Sequence, residues 1–180
     1  DCRIADFDVI NDFDVAAETR RLVGENTSIG GVVTFVGLVR EGEGDQRISA
    51  MTLEHYPSMT EKMLRRIEAE AHQRWPLDAS LIVHRVGRMV PGDRIVLVIT
   101  ASAHRQAAFK ACEFLIDWLK TKAPFWKLEE GVTDASQEGK WVESRESDTE
   151  AAARWSRGAR RSWRRCAGPW SVSWRRRSPT

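Results

Sequence analysis

Between Met59 and Trp75 the apolar residues recur every four positions: Met59, Met63, Ile67, Ala71 and Trp75, with Leu64 beside them. That period lays one apolar stripe along a helix. Ser58 and Glu61 have the spacing of a capping box at its start, and Pro76 stops it. A second helical stripe runs from about Ala103 to Lys122, with Ala108, Ala111, Cys112, Leu115 and Leu119 on the core face. Elsewhere the pattern reads as strands. The segment 29–40 is entered through Gly30 and Gly31 and is β-branched and apolar on both faces, which predicts a central strand. In 48–56, Met51 and Leu53 alternate with Thr52 and Glu54. Segments 81–90 and 94–100 flank the turn Val90-Pro91-Gly92-Asp93 and should pair as a hairpin, with Ile95–Ile99 buried. Segments 125–129 and 140–143 predict a C-terminal β-hairpin around a polar loop, 130–139. Ser147 and Glu150 are spaced to cap a short last helix over 148–155. The first 28 residues are ambiguous: 4–9 fits a strand and 15–23 a helix. Strand pairs, two long helices and a closing hairpin make an α+β fold, helices packed on a mainly antiparallel sheet.

Composition narrows the class. A chain of 180 residues with 42% apolar content is long enough for one ordinary core. No apolar run approaches the roughly 20 residues of a membrane span. The first residues lack the basic start and apolar block of a signal peptide, and the missing initiator Met reads as a trimmed start. Cys2, Cys112 and Cys166 are scattered, and His55, His72, His84 and His104 form no local ligand motif. No metal and no cofactor are expected, and a reducing cytoplasm is the simplest compartment. The net charge of +2 hides a division. Residues 156–180 hold eight arginines and no acid, which leaves 20 basic residues against 26 acidic ones in residues 1–155. The acidic body disfavours nucleic-acid binding. We therefore divide the chain into a domain, 1–155, and an Arg/Trp-rich tail, 156–180, whose composition resembles out-of-frame translation and predicts a disordered or non-native segment.

Candidate chemistry gathers at element ends. In Lys120-Thr-Lys-Ala-Pro-Phe-Trp-Lys127, Pro124 forbids a continuous helix, so Lys120 should end one element and Lys127 start the next. A reversal there would bring two ammonium groups together beside Phe125 and Trp126. Their repulsion would favour loss of a proton from one, suiting it to acid/base or nucleophilic work. The ordinary alternative is a helix C-terminus complemented by lysines. Arg40 ends a strand beside a glycine-rich loop, where its planar fork suits an anion. His104 and Arg105 open the second helix, whose free N–H groups also favour anions. Five cations at element ends in an acidic body point to a phosphate or carboxylate pocket. Glu54-His55-Tyr56 reads as a strand-edge polar cluster, and His84 as a structural histidine. Trp75, Trp118 and Trp141 should pack against the sheet.

Six separated motifs carry a resemblance: 31–40 (GVVTFVGLVR), 53–60 (LEHYPSMT), His84-Arg85-Val86-Gly87 with Pro91-Gly92-Asp93, Ser102-Ala103-His104-Arg105, 119–127 (LKTKAPFWK) and Trp141-Val142-Glu143-Ser144-Arg145. In this order they resemble the large, catalytic subunit of molybdopterin synthase, over about residues 29–155. The resemblance implies an α/β hammerhead fold and a homodimer, with a small ubiquitin-like sulfur-carrier subunit docked at each end to make a heterotetramer. It implies a sulfurtransferase that moves sulfur from the thiocarboxylated C-terminus of that subunit to cyclic pyranopterin monophosphate, forming the molybdopterin dithiolene. By motif, Lys120 and Lys127 are the implied catalytic residues. Arg40, His104, Arg105 and Glu129 line the implied pocket, with backbone contacts from Leu38 and Val39, and Arg145 reaching a pocket across the dimer. Leu38 and Leu128 stand where the family often has basic residues, which weakens a side-chain role at either. Two other classes compete. A non-catalytic module of the same fold would be expected to lose Lys120 or Lys127, and both are present. A nucleic-acid binder working through the tail would be expected to have a basic body face.

Overall fold

The computed structural model describes residues 3–4, 12–42, 47–122, 125–131, 140–142 and 146–156. In chain order the elements are β1 (Arg3–Ile4), α1 (Val15–Val23), β2 (Gly31–Leu38), β3 (Ile48–His55), α2 (Pro57–Arg74), β4 (Ala79–His84), β5 (Gly87–Met89), β6 (Arg94–Ser102), α3 (Arg105–Lys122), β7 (Phe125–Gly131), β8 (Lys140–Val142) and α4 (Glu146–Ser156). The α+β class holds, with β7 and β8 as the closing hairpin. There are two four-stranded sheets rather than one, ordered β1-β4-β6-β2 and β5-β3-β7-β8. All the pairings are antiparallel except β1 with β4.

The first sheet has a helix layer on each face. Ile82 and Val98 pack with Leu64, Ile67 and Ala71 of α2 and Cys112, Phe114, Leu115 and Leu119 of α3. The opposite face, Leu81, Val83, Leu97 and Ile99, meets Phe13 and the α1 residues Val15 and Leu22. Strand alternation produces this division, since successive side chains point to opposite faces. Each fully buried Leu, Ile or Phe contributes roughly 1.5–3 kcal/mol by leaving water. Buried Glu68 of α2 accepts a hydrogen bond from Ser80 Oγ at 2.5 Å, and His72 Nε2 lies 2.9 Å from that hydroxyl, so α2 is also tied to β4 by polar contacts. Cys112 is a core residue, and burial raises its thiol pKa to about 11.

Three expectations need correction. Strand β2 is an edge strand, hydrogen-bonded on one side to β6, and Val32 is 37% exposed. Its two apolar faces reflect helix cover on one face and α1 near the other. The segment 81–90 is broken: Gly87 at φ +88° turns the chain, so β4 pairs with β6 while β5 crosses to pair with β3. The hairpin across Val90–Asp93 therefore links two sheets. Helix α2 has Tyr56 as its N-cap without a side-chain bond and Pro57 in its first turn, so Ser58 and Glu61 do not form the expected box. Trp75 packs edge-on against Phe114, at 5.4 Å, and Trp155, at 5.6 Å. Of the tail, only Ser156 is among the described residues, as the last position of α4. The loop after Gly131 and Arg145 lie outside them.

Candidate active site

Helix α3 begins where β2 begins. Gly31 pairs with Ser102, and a Cβ on Gly31 would sit 3.4 Å from Arg105 Cα. At Gly30 a Cβ would come within 2.4 Å of the Ala103 carbonyl oxygen, so only glycine fits this approach. Ser102 Oγ accepts from His104 N–H at 3.2 Å and donates to the Pro76 carbonyl at 2.7 Å. This fixes the entry to α3 and leaves His104 and Arg105 exposed at its N-terminus. From there α3 runs back along the sheet, with Thr100 Oγ1 donating to Ala108 O at 2.8 Å.

The opposite end holds the other cations. Val39 N–H donates to Asp93 O, and Gly92 N–H to Val39 O, each at 2.9 Å. This staple ties the end of β2 to the β5–β6 turn, buries Val39 and presents Arg40 and Leu38 at the rim. Val39 joins Ile48, Met51, Leu53 and Met89 in an apolar cluster bordered by Ile95 and Phe125. Leu53 pairs directly with Lys127. Lys127 and Glu129, two apart on β7, share that face and form an ion pair. Leu128 lies on the opposite face, paired with Thr52, which removes its side chain from the cluster around Lys127. Lys120 occupies the last turn of α3, its side chain 54% exposed, with Nζ 3.4 Å from Asp148 Oδ1.

Each of the two lysines faces a carboxylate, Lys120 meeting Asp148 and Lys127 meeting Glu129. The five cations also fall into two groups. Arg40, Lys120 and Lys127 border one end of the molecule. His104 and Arg105 lie at the other end of α3, about 22 Å from Lys120 along the helix axis. No small ligand touches both groups in one chain. Sequence reasoning assigned each cation to an element end, but the direction in which α3 runs decides which ends coincide.

Below this end lies the seam between the sheets. The His84 ring, at the end of β4, stacks on Phe125 of β7 with centroids 4.2 Å apart. His84 Nδ1 lies 2.9 Å from Arg85 O, the geometry of a neutral ring donating to a carbonyl. Burial lowers the His84 pKa to about 4, opposed by that hydrogen bond and helped by nearby His55. His84 is a structural histidine, as its place in the strand suggested.

Two acids were missed. Asp148 meets Lys120, and Asp117, three residues earlier on α3, accepts from Arg154 and Trp155 of α4. The one available signal was Asp117 interrupting the apolar face of α3 beside Phe114. Among the described residues no group of three or more His, Cys, Asp or Glu side chains is placed to hold a metal ion, and no helix is long and apolar enough to cross a membrane.

Residues 9–122 match the family model described as MoaE protein. The molybdopterin synthase catalytic subunit of Mesorhizobium japonicum is 55% identical over 144 residues, covering 80% of this chain and 88% of that one. Among solved structures, the molybdopterin biosynthesis MoaE protein from Burkholderia ambifaria superposes with a TM-score of 0.70 at 47% identity, covering 86% of this chain and 97% of its own. A complex of subunits 1 and 2 of molybdopterin-converting factor from Helicobacter pylori shares the fold at 20% identity, with a TM-score of 0.57 over 81% of this chain and 90% of that one. The match over most of the globular part, the relatives at about half identity and the shared fold place this chain in the MoaE family, that of molybdopterin synthase catalytic subunits.

Proposed function

We propose that this chain transfers sulfur from the thiocarboxylated C-terminus of a small ubiquitin-like subunit to cyclic pyranopterin monophosphate, forming the molybdopterin dithiolene. What supports the reading is that Lys120 ends α3, Lys127 pairs with Leu53, and Arg40 follows Val39 of the cluster that holds Leu53, in a body that is otherwise net acidic. The Helicobacter pylori structure pairs subunits 1 and 2 of molybdopterin-converting factor, which supports a small partner here. Both reactants are anionic, and cations offset their repulsion most strongly once docking excludes water.

The chemistry asks for two events. In each of two rounds, one per dithiolene sulfur, the thiocarboxylate sulfur bonds a precursor carbon as a carbon–oxygen bond at that carbon breaks, the oxygen leaving on the phosphate or, protonated, as water; water then cleaves the acyl–sulfur bond and supplies the oxygen of the released carboxylate. Lys120 transfers a proton and stabilises charge at the attacked carbon or the thioacid carbonyl. Lys127, held by Glu129, orients the donor terminus, and the backbone at Leu38 and Val39 lines its path. Arg40 holds phosphate or pterin. His104 and Arg105 are too far along α3 to share that task within one chain, so in this reading a homodimer supplies them from a neighbouring protomer, together with Arg145. The catalytic unit is residues 1–155, acting in the cytoplasm inside a heterotetramer. No resident cofactor enters the reading; the pterin is substrate.

The test is incubation with thiocarboxylated small subunit and precursor, with mass detection of the dithiolene. Lys120→Ala should nearly abolish product while dimerisation is unchanged. Product within a few-fold of the unsubstituted chain would reject the assignment of Lys120.

A further inference from the structure

We infer that Asp148 is a positioning residue for the Lys120 ammonium, and that α4 is the strap that carries it there. The inference rests on the catalytic reading of Lys120. Helix α4 lies antiparallel on α3 and is fastened unequally at its two ends. At the far end, buried Asp117 accepts from Trp155 Nε1 at 2.7 Å and from two nitrogens of Arg154 at 2.6 and 3.2 Å. Arg154 also meets Glu113 at 2.9 Å, and Arg74 donates to the Trp155 carbonyl at 3.0 Å. The Trp155 ring stands edge-on to both Trp75 and Phe114, at 5.6 Å in each case. A buried carboxylate with several charge-assisted donors, inside an aromatic cluster, makes a strong anchor.

At the near end, among the described residues, the contact is longer: Lys120 Nζ to Asp148 Oδ1 at 3.4 Å, between side chains 54% and 23% exposed. Both contacts lie on the facing sides of the two helices: Arg154, six residues after Asp148, meets Asp117 and Glu113, three and seven residues before Lys120, so the anchored end fixes where Asp148 meets α3. A lysine stem has many rotamers, and an opposite charge held on a rigid helix selects those that face α4. Because the pair is half-exposed and weak, an arriving anion can take over the ammonium without an expensive release. The anchor thus positions Lys120 through Asp148 without touching a reacting atom.

The experiment uses the full chain. A limiting amount of an acetylating ester labels lysines, and peptide masses give the rate at Lys120, with exposed Lys110 of the same helix as internal reference. Labelling of Lys120 should rise at least threefold in Asp148→Asn and in Asp117→Asn, and return to the original rate in Asp148→Glu. In turnover with thiocarboxylated partner and precursor, Asp148→Asn should lower kcat about tenfold, with KM for the precursor within twofold and an unchanged melting temperature. Asp117→Asn should lower both melting temperature and kcat, and the double variant should be no slower than Asp148→Asn alone. Unchanged labelling in Asp148→Asn would overturn the inference. So would an unchanged kcat there alongside an inactive Lys120→Ala, or losses that multiply in the double variant. If Lys120→Ala turns over normally, the catalytic reading of Lys120 fails instead, and the labelling still decides whether Asp148 holds its ammonium.

Discussion

Acid should open the seam between the two sheets, and His84 is where it would act. The ring is buried, stacked on Phe125, and its pKa is lowered to about 4, from an ordinary value of 6.5, chiefly by burial. The unfolded chain therefore binds a proton at this site more readily than the folded one across that interval. Stability from the neutral ring is fully present above pH 6.5 and is lost as pH falls from 6.5 towards 4. Each pH unit in that window costs up to about 1.4 kcal/mol, so about 2.5 kcal/mol is gone by pH 4.5. A small domain has only about 5–15 kcal/mol in total, so this is a large share. His84→Phe keeps an aromatic ring against Phe125 and removes the titration, while giving up the bond to Arg85 O. Urea unfolding at pH 7.5, 5.5 and 4.5 compares the two proteins. The variant should start less stable at pH 7.5 and lose about 2.5 kcal/mol less on going to pH 4.5. Charged groups remote from His84 contribute equally to both proteins and cancel in the difference. Parallel pH dependences in the two proteins would refute the argument.

Arg40→Ala and Arg105→Ala should each weaken precursor binding by about 2–3 kcal/mol, the loss of a charge-assisted hydrogen bond enclosed on binding, while docking of the small subunit changes little. Calorimetry showing unchanged precursor affinity in both would remove them from the pocket. Truncation after Trp155 should leave melting temperature and turnover unchanged, because residues 156–180 have no apolar periodicity. It should also reduce salt-dependent self-association between the acidic body and the +8 tail. A large fall in melting temperature, or lost turnover, would show that the tail belongs to the fold.

Local period carried much of the fold. The helices α2 and α3 were legible because their core faces repeat with the helix, although in α2 Met59 is exposed and Thr60 and Glu68 are buried beside Leu64 and Ile67, and β6 was legible because Ile95–Ile99 is apolar throughout. Pairing partners were less legible. An edge strand covered by helices on one face has the same composition as a central one, which is why β2 was misplaced. The switch of β5 between sheets depends on the positive φ of Gly87 and on a β3 partner distant in sequence. The cations of the site could be read one by one, since each ends an element. Their division into two groups could not, because it follows from the direction of α3 across the sheet. Asp148 was invisible for a related reason: nothing near it in sequence announces a lysine on another helix.

The pairing of β3 with β7 has a consequence for how the protein is made. Leu53 must wait for Lys127, and between them the chain lays down α2, β4, β5, β6 and α3. The first sheet can close once β6 exists, since β2, β4 and β6 all precede α3. On a growing chain β3 then has only the three residues of β5 beside it, and its other edge lacks its hydrogen-bonding partner. Distant pairings form late because loop closure must come before the contacts that reward it. The sheet that bears Lys127 is thus the last to assemble, and an unfinished chain presents an unpaired apolar strand to its neighbours. Pulse-labelled hydrogen exchange during refolding should show β3 amides gaining protection together with β7, after those of β2 and β6; protection of β3 ahead of β7 would reverse that order.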